Sequence, residues 1–251
     1  MNKRESKLVR AGDNNVIYAQ KTIYNRFYKI YEPFAPIVTN QDPNTIKNKR
    51  RDIEKPFERS TRRTKKNIKD YVFNNEFDYF VSFTYKPKFD TNLKRKKVFK
   101  DWIKNQQKRT GKFEYIFVSE LHKSGLIHFH GLIKGYGGKV LKAINRNSGK
   151  LVFQKGKQVY NFVSFTSGHS HAKKIGEGVE NQIFIGHYIS KYITKELIYE
   201  PNVNRYWVSS GLKKPKVVNN PDESYRKITP IYTLPTEHGF IKYYENEPTY
   251  D

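Results

Sequence analysis

Glu120-Leu121-His122-Lys123-Ser124-Gly125-Leu126-Ile127-His128-Phe129-His130-Gly131 is the stretch on which the fold turns. Phe113 to His122 and Leu126 to Lys134 read as two strands of a hairpin. Alternate residues of a strand share a face, so His128 and His130 project together while Ile127, Phe129 and Ile133 project to the other side. Two imidazoles one strand repeat apart can bind one metal ion. A His-x-His pair alone is equally compatible with an ordinary pair that holds no ion, but the partner strand changes that balance. Lys123-Ser124-Gly125 fits a three-residue loop with glycine in the left-handed third position. In that register His122 and Leu126 flank the loop, and Glu120 lies across from His128 on the same face. A two-residue Ser124-Gly125 turn would instead set Glu120 opposite Phe129, on the wrong side.

Upstream of this hairpin, Glu58 to Phe73 has Ile68, Tyr71 and Val72 at helical spacing, with Pro56 near its start. Tyr79 to Tyr85 reads as a strand and Leu93 to Lys108 as a second, basic helix. Downstream, Gly135 to Gly156 is rich in Gly and Lys and reads as loop with short strands. Val159 to Thr166 is a further strand candidate, Ile183 to Ile198 a helix and Arg205 to Ser209 a last strand. Strands and helices mix without regular βαβ spacing, which favours an α+β domain on an antiparallel sheet. Residues 1–55, with aromatic stretches at Val16–Tyr18 and Tyr24–Tyr31, form an N-terminal basic and aromatic extension. Residues 56–215 form the central domain, and residues 216–251 a basic, proline-punctuated tail.

Composition points to a polyanionic partner. Lys and Arg number 48 against 24 Asp and Glu, a formal net charge of +24 in 251 residues. Nucleic acid is the usual partner of such an excess. Aromatics make up 15% of the chain, including 19 tyrosines, and interleave with the basic residues as a base-stacking surface requires. No apolar run approaches the ~18 residues of a membrane span. The first fifteen residues lack the apolar stretch of a secretory signal. Cysteine is absent, which excludes disulfides, thiolate metal sites and a cysteine nucleophile, and fits a cytoplasmic location.

A second segment, Tyr188-Ile189-Ser190-Lys191-Tyr192-Ile193-Thr194-Lys195, sets two tyrosines four apart on one helical face, each followed by a lysine three residues on. Such a pair serves equally well to pack an amphipathic helix. A phenol with pKa near ~10 is a poor nucleophile at neutral pH. Nearby ammonium groups and a metal-polarised phosphate make its attack feasible.

Phe80-Val81-Ser82-Phe83-Thr84, then Glu120-Leu121 with His128-Phe129-His130-Gly131, then Tyr188 to Lys195 resemble, in that order, the three motifs of HUH rolling-circle replication initiators. The likeness is to proteins of small phages and plasmids of low-GC bacteria. It extends over roughly Ser60 to Pro215, loosely between Gly135 and Glu180. The resemblance implies a central antiparallel sheet of about five strands flanked by helices, with the hairpin at its centre. It makes His128, His130 and Glu120 metal ligands and puts Tyr192, with Lys195, at the nucleophile position. Tyr188, with Lys191, falls where isometric single-stranded DNA phage initiators have a second tyrosine; some plasmid relatives have a carboxylate there. Thr84 belongs to the first motif, which supports the site, and Ser82 stands where a threonine is commoner.

The activity so implied is site-specific nicking and joining of single-stranded DNA through a 5′-phosphotyrosine. The ion is Mg²⁺ or Mn²⁺; the ligand set also suits Zn²⁺, but repeated release of phosphates favours a harder, more labile ion. Arg62, Arg63, Lys65 and Lys66 are the candidate DNA-backbone contacts. No G-x-x-x-x-G-K-[ST] sequence occurs, so a host helicase and polymerase are expected partners. A single-tyrosine transposase or relaxase is the alternative enzyme. A single-stranded DNA binder with a degenerate HUH fold is the non-catalytic alternative.

Overall fold

The computed structural model describes residues 15–39, 56–193 and 206–246. Strands β1 (Val16–Ile17), β2 (Gln20–Ile23), β3 (Phe27–Pro33) and β4 (Ile37–Val38) come first. Helix α1 (Pro56–Asn74), strand β5 (Tyr79–Tyr85) and helix α2 (Asn92–Thr110) precede the hairpin of β6 (Glu114–Leu121) and β7 (Ile127–Lys134). Short strands β8 (Val140–Lys142), β9 (Phe153–Gln154), β10 (Lys157–Gln158) and β11 (Tyr160–Phe162) lead to β12 (Gly168–Lys174) and helix α3 (Val179–Ser190). Strands β13 (Tyr206–Val208), β14 (Lys216–Asn219), β15 (Tyr232–Thr236) and β16 (Gly239–Glu245) follow. No helix among the described residues is long and apolar enough to cross a membrane.

The chain divides into two compact units, one formed from both ends and one from residues 54–214. In the first, the stretches set apart by composition as an extension and a tail contribute to one sheet, ordered β14-β2-β3-β16-β15. Tyr28 lies opposite Tyr244 in that register, and their rings stack with centroids 5.0 Å apart. Ala19, Ile30 and Tyr225 complete its small core.

The larger unit is α+β, built on a seven-stranded antiparallel sheet in the order β13-β6-β7-β5-β12-β11-β8. That exceeds the expected five strands, and β5 rather than the hairpin takes the middle place. The strand absent from the sequence reading is β12, which pairs with β5 along its whole length. Its inward residues, Ser170 and Ala172, are buried but small, so no large apolar alternation marks it in the sequence. The strand expected over 159–166 shortens to Tyr160–Phe162.

Helix α2 covers one face of the sheet. Its buried residues Arg95, Phe99, Trp102, Ile103 and Gln106 fall at helical spacing. Thr91 starts the helix by accepting a hydrogen bond from the Lys94 amide. Beneath it Val81, Phe83, Phe117, Ile127, Phe129 and Ile133 form the aromatic-rich core, with Phe99 stacked on Phe129 at 4.0 Å. On α1, Ile68, Val72 and Phe73 are buried, and the helix packs against α3. The Gln182 amide on α3 lies 3.1 Å from each of the Val72, Phe73 and Asn75 carbonyls, meeting acceptors that the end of α1 leaves unpaired.

Candidate active site

Hairpin geometry comes first, because it decides which side chains can meet. His122 and Leu126 flank the loop through the bond from the His122 amide to the Leu126 carbonyl, 3.0 Å. Gly125 sits at φ 77°, the left-handed conformation that glycine adopts without strain. Helix α2 clamps the loop. Asn92 donates to the Gly125 carbonyl at 3.1 Å and accepts from the Ile127 amide at 2.8 Å. Arg95 donates to the Ile127 carbonyl at 2.9 Å. With this three-residue loop Glu120 pairs with His128 across the hairpin, and the two-residue alternative does not occur.

The face opposite α2 carries a polar row across neighbouring strands. His130 Nε2 lies 2.7 Å from Glu120 Oε2, and its Nδ1 lies 2.7 Å from Ser82 Oγ. A neutral ring that donates to the carboxylate through Nε2 accepts from the serine through Nδ1. If Nε2 is to bind a cation, the proton moves to Nδ1 and the serine oxygen accepts instead. A hydroxyl can play both parts. Burial pushes the His130 pKa down, while Glu120 opposes the shift. His128 is also lowered, by burial first and then by His122, and its ring stacks on His122 with centroids 4.9 Å apart.

One carboxylate and two imidazoles biased toward their neutral forms suit a divalent cation by chemistry. Their side chains do not yet surround a common point, and no group of three such residues does so among those described. Glu120 contacts His130 directly, while His128 faces His122.

The phenols stand over this row. The Tyr192 ring stacks on His130 with centroids 3.9 Å apart, and its hydroxyl donates to the Tyr188 oxygen at 2.9 Å. Phe80 meets Tyr188 edge-on at 5.2 Å. Burial pushes the Tyr192 pKa well up, and the hydrogen bond to Tyr188 adds to the rise. The Lys191 ammonium lies 3.9 Å from the Tyr188 ring centre and 5.1 Å from that of Tyr192.

These tyrosines do not share one regular helix. Helix α3 ends at Ser190, and bonds from Tyr192 to Ile189 and from Ile193 to Ser190, each 3.2 Å, tighten the chain into a turn. The phenols still meet because that turn continues the helical sense. The expected continuation toward Ile198 and the residue Lys195 lie outside the described residues.

Thr84 is exposed and paired with His169, two residues along β5 from Ser82 on the same face. Arg62, Arg63 and Lys66 are exposed on α1 and Lys65 is half-buried; Lys66 forms an ion pair with Asp70 at 2.6 Å. Ser82 and His122 contact the metal candidates, and sequence spacing alone does not assign them to the site. The same holds for a second His-x-His, His169-Ser170-His171 on β12. Its His171 pairs with Ser82 in register and lines a cavity of about 500 Å³ beside the tyrosines. The repeat was visible in the sequence, but its strand was not.

Fold and site together define an α+β domain with a carboxylate and imidazoles on one sheet face and two phenols, from α3 and the turn after it, above them. Residues 78–197, just under half of the chain, match a family model described as replication-associated protein ORF2. That stretch runs from β5 through the hairpin to the tyrosine pair. No curated protein and no solved structure gives a significant match.

Proposed function

We propose that the protein initiates rolling-circle replication by nicking and rejoining single-stranded DNA through a 5′-phosphotyrosine, as HUH initiators do. The observation that carries this reading is the stack of Tyr192 on His130, whose other partners are Glu120 and Ser82. It brings a nucleophile type and a cation-ligand type into one place. The match to replication-associated proteins and the net charge of +24 support the same substrate.

Bound Mg²⁺ or Mn²⁺, held by Glu120, His128 and His130, supplies Lewis-acid charge to the scissile phosphate. The Tyr192 oxygen attacks phosphorus, the bond to the 3′ oxygen breaks, and a 5′-phosphotyrosine and a free 3′-OH result. The phenolic proton passes to solvent, and the departing 3′ oxygen takes up a proton from solvent. Burial holds Tyr192 protonated at rest, so ionisation is coupled to arrival of the substrate. Lys191, beside both rings, and Lys195 stabilise the developing negative charge. Tyr188 then attacks the regenerated origin, forming a second 5′-phosphotyrosine and freeing a 3′-OH; that 3′-OH displaces Tyr192 from the first phosphate and closes the circle. Two phenols in hydrogen-bond contact suit an initiator better than a single-tyrosine transposase or relaxase. Arg62, Arg63, Lys65, Lys66 and Thr84 contact the DNA strand, and a host helicase and polymerase supply unwinding and synthesis.

The deciding experiment incubates the protein with labelled single-stranded DNA and Mn²⁺ and seeks an SDS-resistant adduct. An adduct that forms with Mn²⁺ and not in EDTA is expected. Adduct formation undiminished in EDTA would overturn the metal assignment, and binding without any adduct would leave only a single-stranded DNA binder.

A further inference from the structure

The cavity beside the tyrosines has features that the nicking reaction does not use. Phe184, on the solvent side of α3, is 65% exposed, and its ring lies nearly parallel to that of Tyr188 with centroids 5.9 Å apart. Lys155, Lys157 and Lys173 line the same cavity, together with Phe80 and His171. Among the described residues none of the three lysines pairs with a carboxylate. The Lys173 pKa is lowered by burial and further by Lys155 and Lys157, while Tyr188 opposes the shift.

The way two of them are delivered is unusual. Strands β9 and β10 form a hairpin with Gln154 opposite Lys157 and a two-residue loop, Lys155 at φ 51° and Gly156 at φ 73°. Such a loop favours Asn, Asp or Gly at its first place, and a lysine with positive φ is uncommon. The hairpin rests on β12, whose Lys173 pairs with Phe80. Aromatic rings and several ammonium groups lining one cavity are what a nucleotide requires, base to ring and phosphate to cation. A volume of about 500 Å³ is within the range of small-ligand sites.

We propose that this cavity receives one nucleotide of the single strand, its base against Phe184 and Tyr188 and its phosphate among Lys155, Lys157 and Lys173. The inference rests on the single-stranded DNA reading above. It adds a grip on the base next to the reacting phosphate, so that the strand is held by more than charge.

The test measures fluorescence anisotropy of labelled dT20 and of an abasic 20-mer with the full chain in EDTA. Phe184→Ala should lower affinity for dT20 about tenfold and leave affinity for the abasic strand unchanged. Lys155→Gln combined with Lys157→Gln should weaken both strands alike. It should also flatten the log–log salt dependence by roughly 0.7 for each phosphate that the protein no longer neutralises. Phe184→Trp should restore dT20 affinity, with a tryptophan emission quenched by dT20 and not by the abasic strand. If Phe184→Ala weakens both strands equally or neither, the base pocket is wrong. An adduct in Mn²⁺ with no base discrimination would sink the pocket alone. Base discrimination without an adduct would sink the nicking activity and keep the pocket, and no affinity for either strand would remove both.

Discussion

Strands β5, β6, β7 and β12 carry two different surfaces on alternate residues. Toward α2 they bury Val81, Phe83, Phe117, Phe129 and Ala172, all fully withdrawn from solvent. Toward the tyrosines the same strands present Ser82, Glu120, His128, His130 and His171, joined by a few hydrogen bonds and still partly open. Each ring of the first face has several aromatic neighbours; Phe83 alone meets Phe99, Trp102, Phe117 and Phe165. On the second face His128 has its ring on His122, and His130 is held at both nitrogens. One step along a strand therefore separates a core residue from one on the face of the candidate site, because the pleat sends neighbours to opposite sides.

The sharpest break between the faces comes from the phenol. Tyr192→Phe should cut covalent adduct formation by about 10³-fold or more, as loss of a nucleophile does. Tyr188→Phe should keep the first nick and impair joining. Mass-spectrometric mapping of the adduct in each variant checks the roles, and wild-type nicking with the adduct on Tyr188 in Tyr192→Phe would reverse them.

Next in size is the contrast between adjacent residues. Phe129→Ala should remove about 3–5 kcal/mol of stability by opening a cavity in the aromatic core. His128→Ala should remove less than about 1 kcal/mol, abolish adduct formation and leave single-stranded DNA binding in EDTA intact. Denaturant unfolding of the two variants decides this, and equal losses would show that the two faces are one packed unit.

Ser82 sharpens the comparison on the open face. Removing its hydroxyl leaves His130 without the partner that lets its proton sit on either nitrogen. Ser82→Ala should lower Mn²⁺ affinity by about 10- to 100-fold, with Ser82→Thr restoring it. Calorimetric titration with Mn²⁺ measures this, and an unchanged affinity would remove Ser82 from the site.

The smallest effect belongs to His171. Burial and then Lys173 lower its pKa below the ordinary 6.5, so the folded chain favours the neutral ring. That contribution to stability is complete above pH 6.5 and is lost as the pH falls through the lowered folded value, where the unfolded chain has already bound the proton. His171→Asn should flatten the acid side of the stability profile between pH 7 and 5. An unaltered profile would show that the ring titrates as it does in water.

Local pattern was enough for most of the candidate site. The loop Lys123-Ser124-Gly125 contains the glycine its geometry needs, so the register of Glu120 against His128 could be written from the chain alone. Strand β5 was likewise legible from its pattern and helix α2 as a basic helix, and so was the separation of Phe129 from His128 and His130. Sequence spacing also put Tyr188 and Tyr192 one turn apart, although it overran the end of α3.

Tertiary structure decided what no local pattern encodes. Strand β12 belongs to the sheet because β5 offers it a full edge to pair with, and its Ser170 and Ala172 fit a core already filled by aromatics from other strands. Two ends of the chain pair through Tyr28 and Tyr244, which lie more than two hundred residues apart in the sequence. The contact of Ser82 with His130, the stack of Tyr192 on that same ring and the cluster of Lys155, Lys157 and Lys173 arise likewise between separate elements. Period and turn chemistry act over a few neighbouring residues, and so they leave a trace in sequence. Pairing between distant strands depends on which edges remain open once the rest of the sheet has formed, and only the folded chain settles that.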